Sequence, residues 1–171
     1  MRIIITGTPG TGKSIIAKKL ADELNLELID IKKLVLAKKL RNKKHEVDIK
    51  KLAQNLKFLK TKKDYVVEGH LACELFLPND FVVVLRTNPK VLKKRLEKRK
   101  YSKRKTQENL AVEILDYCTQ RVMMFYKRKP LELDTSQRSL QSNILEIKKA
   151  IKQKKKKIDC VDYSGFIIEG Y

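Results

Sequence analysis

Near the amino terminus, Gly7-Thr8-Pro9-Gly10-Thr11-Gly12-Lys13-Ser14 sets three glycines, a lysine and a hydroxyl in the order GxxxxGK[ST]. Backbone must pass closely around an anion for several N–H groups to point at it, and side chains would block that approach. Lys13 then offers a point charge to the outer phosphates of a triphosphate and Ser14 a hydroxyl to Mg2+. The helix that begins there turns its positive end toward the same anion. The flanks agree with this reading, since residues 2–6 form an apolar strand and Ile15, Ile16, Leu20 and Leu24 recur at helical spacing. A chance match in a glycine-rich turn would lack that setting.

A phosphate loop of this kind works with an acid beside the metal. Two more continuous apolar runs, Tyr65-Val66-Val67 and Phe81 to Leu85, read as strands covered on both faces. The first ends in Glu68 and the second in Arg86, so Glu68 is the expected metal-side acid; a solvent-exposed strand-end glutamate is the plain alternative. His70, after Gly69 at the same edge, could order an attacking water or the nucleotide phosphates, or could serve structure alone. Further on, Arg95, Arg99, Lys100, Lys103, Arg104 and Lys105 gather cations suited to closing over transferring phosphates. The same charges also read as a solvated face or an RNA-contacting patch.

Positioning these residues takes a parallel sheet wrapped by helices, because strand and helix signals alternate along the chain. The fold class is therefore α/β, a three-layer P-loop sandwich with five parallel strands near 2–6, 27–29, 65–67, 81–85 and 131–133. Asp30 caps a helix reaching Leu40, Arg41 to Glu46 is a polar loop, and Asp48 caps a helix over 49–59. Asn88-Pro89 opens a helix to about Arg99, a charged segment at 98–108 interrupts it as a flap, and helix resumes toward Arg128. Asp134-Thr135-Ser136 is the exit loop of the last strand, and Leu140 to Ile151 is a final amphipathic helix. Residues 1–153 form one domain; 154–171 are a basic run and a tail carrying Tyr163, Phe166, Ile167, Ile168 and Tyr171.

Composition sets the outer bounds. A chain of 171 residues suffices for one domain with a real core. No apolar run approaches the ~18–20 residues of a membrane span, and residues 2–5 are too short for a signal-peptide core. Cys73, Cys118 and Cys160 show no CxxC spacing, which argues against a disulfide framework or zinc site, fits the reducing cytoplasm, and leaves packing as their default role. The formal charge of +20 draws polyanions, nucleic acid first, although lysines that merely solvate helix faces give the same sum.

Together these segments resemble the adenylate kinase isoenzyme 6 family, small nucleotide kinases and ATPases associated with maturation of the small ribosomal subunit. The resemblance spans 1 to about 150 and rests on Thr6 to Ser14, Glu68-Gly69-His70, Val84-Leu85-Arg86-Thr87 with Leu92 to Leu96, and Arg99-Lys100-Tyr101-Ser102. Glu108-Asn109, Glu113-Ile114 and Asp134-Thr135-Ser136 extend it. It implies a monophosphate-binding arm near 30–50, a lid near 98–108, and ATP contacts at Gly7, Gly10, Thr11, Gly12, Lys13, Ser14, Ile15 and Arg99. Lys13, Glu68, His70, Arg95 and Arg99 would be catalytic, Ser14 and Glu68 would face Mg2+, and Asp134-Thr135 would border adenine. The family transfers phosphate from ATP to a nucleoside monophosphate, hydrolyses ATP, and binds a ribosomal protein of the small-subunit platform, with rRNA close by. Two positions depart from its pattern. Leu36 stands where an arginine would clamp the monophosphate, leaving Lys38, Lys39 or Arg41 to do so with weak or unselective binding, and Lys100 stands where the family often has glycine.

Overall fold

The structure, a computed structural model, describes residues 1–43 and 46–168. Lys44 and His45 of the expected polar loop, and Tyr171 of the tail, lie outside the described residues. The five apolar runs become β1 (Arg2–Gly7), β2 (Glu27–Asp30), β3 (Tyr65–Glu68), β4 (Phe81–Arg86) and β5 (Leu131–Asp134). They form one parallel sheet in the order β2-β3-β1-β4-β5. From β1 the chain runs out to β2, returns to β3 and then crosses to β4, so the carboxyl ends of β1 and β3 border a crevice where ligands bind in such sheets.

The helices are α1 (Lys13–Leu24), α2 (Ile31–Ala37), α3 (Ile49–Asn55), α4 (Pro89–Lys98), α5 (Lys103–Ile114), α6 (Tyr117–Tyr126), α7 (Leu140–Lys152) and the short α8 (Gly165–Ile168). Alternation along β1 divides the core between two faces. Ile3 and Ile5 pack with Val66, Val83 and Leu85 against Ile16 and Leu20 of α1 and Ile144 and Ile147 of α7. Ile4 joins Val67, Val82 and Val84 on the opposite face, under Leu52, Leu56, Leu59, Val122 and Tyr126. Each such burial contributes about 1.5–3 kcal/mol, which makes the sheet a firm platform for its loops. No helix among the described residues is long and apolar enough to cross a membrane.

Differences from the expected elements cluster at the charged segments. The interruption at 98–108 shrinks to Arg99–Ser102, because Ser102 caps α5 by accepting from the Lys105 amide and the residues that follow are good helix formers. Charge alone does not break a helix, and Arg104 meets Glu108 one turn on at 3.3 Å. α2 ends at Ala37, and the helix after Asp48 tightens at Lys57–Lys60 into a 3-10 turn that still buries Leu59. The tail docks: Lys157 pairs with the β5 edge, and the Arg86 guanidinium sits 5.3 Å from the buried Tyr163 ring centre.

Lys100 adopts φ 59°, the left-handed region that glycine enters freely. A side chain there costs about 1–2 kcal/mol, more than the ~0.5–1 kcal/mol of chain entropy an added glycine costs. Lys100→Gly should therefore raise the urea midpoint slightly with an unchanged slope; a lower midpoint would contradict the strain argument.

Candidate functional site

The loop between β1 and α1 is shaped by close backbone approaches. A Cβ on Gly7 (φ +138°) would run into the Leu85 carbonyl oxygen, and one on Gly10 (φ +99°) would lie 2.7 Å from Leu92 Cδ1. Only glycine lets the loop nest against β4 and α4. Helices α2, α3, α4, α5 and α7 are capped by the side chains of Asp30, Asp48, Asn88, Ser102 and Ser139. By contrast α1 opens at Gly12 with no side-chain cap among the described residues. Its first N–H groups are left to a ligand, and its dipole favours an anion there.

Three anchors, two of them buried, hold the loop. Thr8 Oγ1 donates to Glu113 Oε2, Thr135 Oγ1 donates to the Thr11 carbonyl at 2.9 Å, and His70 Nδ1 lies 3.3 Å from the Gly7 carbonyl. Lys13 Nζ donates to the Thr8 carbonyl at 2.9 Å, and burial pushes its ammonium pKa down against the opposing pull of Cys118, Glu68 and Glu113. Ser14 Oγ donates to Glu68 Oε1 at 3.0 Å, so a hydroxyl and a carboxylate stand together as the oxygen pair a hard cation takes. Burial raises the Glu68 pKa, with the Ser14 hydrogen bond opposing. Burial, then Lys13, lowers that of His70, which favours a neutral imidazole.

Two cavities share the loop as a wall. In one, of about 380 Å³, the expected residues Lys13, Ser14, Glu68 and His70 meet Lys32, Arg41 and Tyr101. The other, of about 560 Å³, is bounded by Thr11, Arg95, Thr135 and Leu140. Gly10, Gly12, Ile15 and Arg99 line both. The 60% exposure of Ile15 leaves an apolar surface open beside the loop. Not every expected residue converges with Lys13. Arg95 donates to the Thr135 carbonyl at 2.8 Å and faces the second cavity, while Asp134 accepts from the Ser136 amide at 2.9 Å and shapes the exit loop. Of the three cations expected to clamp an acceptor, Arg41 lines the first cavity and Lys38 and Lys39 do not. Lys32 was missed; it lies on α2 two residues after the Asp30 cap, among many lysines, and only the tertiary fold singles it out.

The cysteines hold a surprise of position. His70, Cys73 and Cys118 bring their ligand-type atoms within 4.8 Å of one another, although the sequence spacing argues against a metal set. Their contacts are internal: Cys118 Sγ lies 3.7 Å from His70 Nδ1, and Cys73 Sγ donates to the His70 carbonyl at 3.1 Å. The neighbouring Cys73 and burial raise the Cys118 pKa, so it stays a thiol that fixes the imidazole.

A parallel sheet, a glycine loop at the carboxyl end of its central strand, and a lysine, serine and glutamate around one cavity define a P-loop nucleotide-binding protein. Solved structures share the fold: shikimate kinase from Acinetobacter baumannii (TM-score 0.70, 20% identity, 91% of this chain and 95% of that one). Deoxyadenosine kinase from M. mycoides gives TM-score 0.60 at 19% identity, covering 90% of this chain and all of the other. A family model described as an AAA domain matches residues 3–116. A protein of Methanocaldococcus jannaschii named "Putative adenylate kinase" is 40% identical over 96% of this chain and 93% of its own length. One of Thermococcus onnurineus with the same name is 33% identical over 96% and 92%. The chain belongs to this family of archaeal adenylate-kinase-like proteins.

Proposed function

We propose that the protein transfers the γ-phosphate of ATP to AMP or another nucleoside monophosphate, and hydrolyses ATP when water replaces that acceptor. An oxygen of the acceptor phosphate bonds to the γ-phosphorus as the bond to the β–γ bridging oxygen breaks, and ADP leaves. Lys13 and the loop amides hold the triphosphate, while Ser14 and Glu68 would hold Mg2+, which neutralises charge on the phosphates when bound. Arg99, which lines both cavities, can follow the transferring group, and neutral His70 positions the loop or an attacking water. Arg95 and Asp134-Thr135 shape the base side. Residues 30–50 act as the acceptor arm and 98–108 as the lid, and the tail docks through Lys157 and Tyr163.

The observation that carries this reading is a cavity in which Lys13, Ser14 and Glu68 share walls with Lys32 and Arg41, whose charge suits a second phosphate. Its test is a coupled assay with AMP, CMP and UMP; if none accelerates ATP turnover, the kinase reading fails. Metal binding needs Glu68 ionised, and burial holds the metal-free carboxyl pKa up, so Mg2+ affinity, and turnover at limiting Mg2+, should fall on the acid side above the ordinary glutamate value of about 4.3. Glu68→Gln should remove that limb and lower kcat on the order of 10²-fold. An unaltered pH profile would remove Glu68 from the metal site.

The +20 charge and the family resemblance support a second role, an ATP-driven switch on a platform protein of the small ribosomal subunit with rRNA nearby. Co-sedimentation with small subunits should then depend on nucleotide, and absent or nucleotide-independent association would count against it.

A further inference from the structure

We infer that Asn143 reads the base of the bound nucleotide and selects adenine over guanine. The inference rests on the proposal that Lys13 and its loop hold a triphosphate, and deepens it. Asn143 lies on α7 in the same stripe as Ile147 and Ala150, where the helix faces the core and an apolar residue is the ordinary choice. It is only 3% exposed. Its Oδ1 is shielded from solvent and has no hydrogen-bond partner among the described residues. Leaving such a group unmatched costs about 1–3 kcal/mol, and buried amides in native proteins are almost always partnered.

Asn143 lines a cavity together with Ile15, Arg99, Thr135 and Leu140, and a molecule seated there is placed to supply the missing partner after a small rotation of the carboxamide. That cavity shares Gly10, Gly12, Ile15 and Arg99 as walls with the one holding Lys13, so a molecule gripped at Lys13 by its phosphates could extend its other end toward Asn143. Ile15 and Leu140 offer apolar walls and Arg99 a planar cation, which suits a flat aromatic ring. A carboxamide presents an acceptor and a donor side by side. Adenine shows the complement, the N6 amino group beside the N7 acceptor. Guanine shows two acceptors, O6 and N7, and would leave the amide oxygen facing another oxygen.

The test is calorimetric titration of Mg·ATP and Mg·GTP into the wild type, Asn143→Leu and Asn143→Ser, with thermal unfolding of each protein alone. The wild type should prefer ATP. Both variants should lose roughly tenfold to a hundredfold in ATP affinity, change little toward GTP, and so lose base selectivity. Asn143→Leu should also melt no lower than wild type without nucleotide, since an unmatched amide is gone. Asn143→Ser fits the same space and keeps the test decisive should the leucine variant fold poorly. An ATP-to-GTP ratio unchanged by both substitutions overturns the role of Asn143 alone. Binding of neither nucleotide by the wild type overturns it together with the proposed function.

Discussion

Replacing Lys13 with methionine should abolish nucleotide binding while leaving the ligand-free protein at least as stable as the wild type. Lys13 is 8% exposed, and among the described residues its ammonium donates to one carbonyl, that of Thr8. Taking an ammonium out of water costs several kcal/mol, and one neutral hydrogen-bond partner together with the pull of Cys118, Glu68 and Glu113 does not return all of it, since the pKa stays depressed. The depressed pKa gives the sign. Between its folded value and the ordinary lysine value of about 10.4, the unfolded chain binds more protons, so stability rises with pH there. At neutral pH the cost is in place. Methionine keeps most of the volume without the charge, and the Thr8 carbonyl keeps the Thr11 amide and hydroxyl as donors. Against a triphosphate the same ammonium gains about 4 kcal/mol at a surface-like dielectric, close to 10³ in affinity. Calorimetry and thermal unfolding of Lys13→Met check both halves. ATP binding within tenfold of wild type would sink the assignment, and a melting point several degrees lower would make Lys13 structural.

The residues whose chemistry is local were legible in the sequence. Gly7 to Ser14 carry their own geometry, because the glycines, lysine and hydroxyl act through one turn and one helix start. Glu68 could be singled out because it alone among the middle strands ends an apolar run with an acid, and β3 does lie beside β1 with Ile5 opposite Glu68. The rest depends on contacts between segments far apart in the chain. Arg41 and Lys32 look like other cations until α2 folds over the crevice. Cys118 reaches His70 across 48 residues, which no spacing rule could detect. Arg86 misleads most: it ends β4 at the ligand edge, yet its side chain turns to acids 27 and 46 residues later. The charged run after Arg99 misleads in the other way, since its composition suits a solvated helix as well as a loop.

Those acids make Arg86→Met the most damaging substitution for the fold. Arg86 is 2% exposed and donates from Nε to Glu113 Oε1 at 3.0 Å, from Nη1 to Glu132 Oε1 at 2.8 Å, and from Nη2 to the Glu113 carbonyl at 2.9 Å. Asp116 completes its shell. Burial alone would lower the guanidinium pKa, but Glu113, Asp116 and Glu132 more than reverse this. The same acids tie the site to the frame. Glu113 takes the Thr8 hydroxyl of the phosphate loop and the Thr87 amide, while Glu132 takes the Cys160 amide of the tail. Removing the cation strands buried carboxylates, a change that costs about 3–5 kcal/mol. Burial already pushes the Glu113 pKa up against the pull of Arg86, so the variant should hold it higher still. Above the ordinary glutamate value of about 4.3, the folded variant then binds more protons than its unfolded chain. Its stability should therefore fall as pH rises, making the deficit in urea larger at pH 8 than at pH 5. Adding Glu113→Gln should recover part of the loss at pH 8, since one stranded charge is gone. A loss below about 1 kcal/mol at pH 8 would mean that the cluster is solvated. Lost ATP turnover at unchanged stability would instead place Arg86 among the groups that touch the nucleotide.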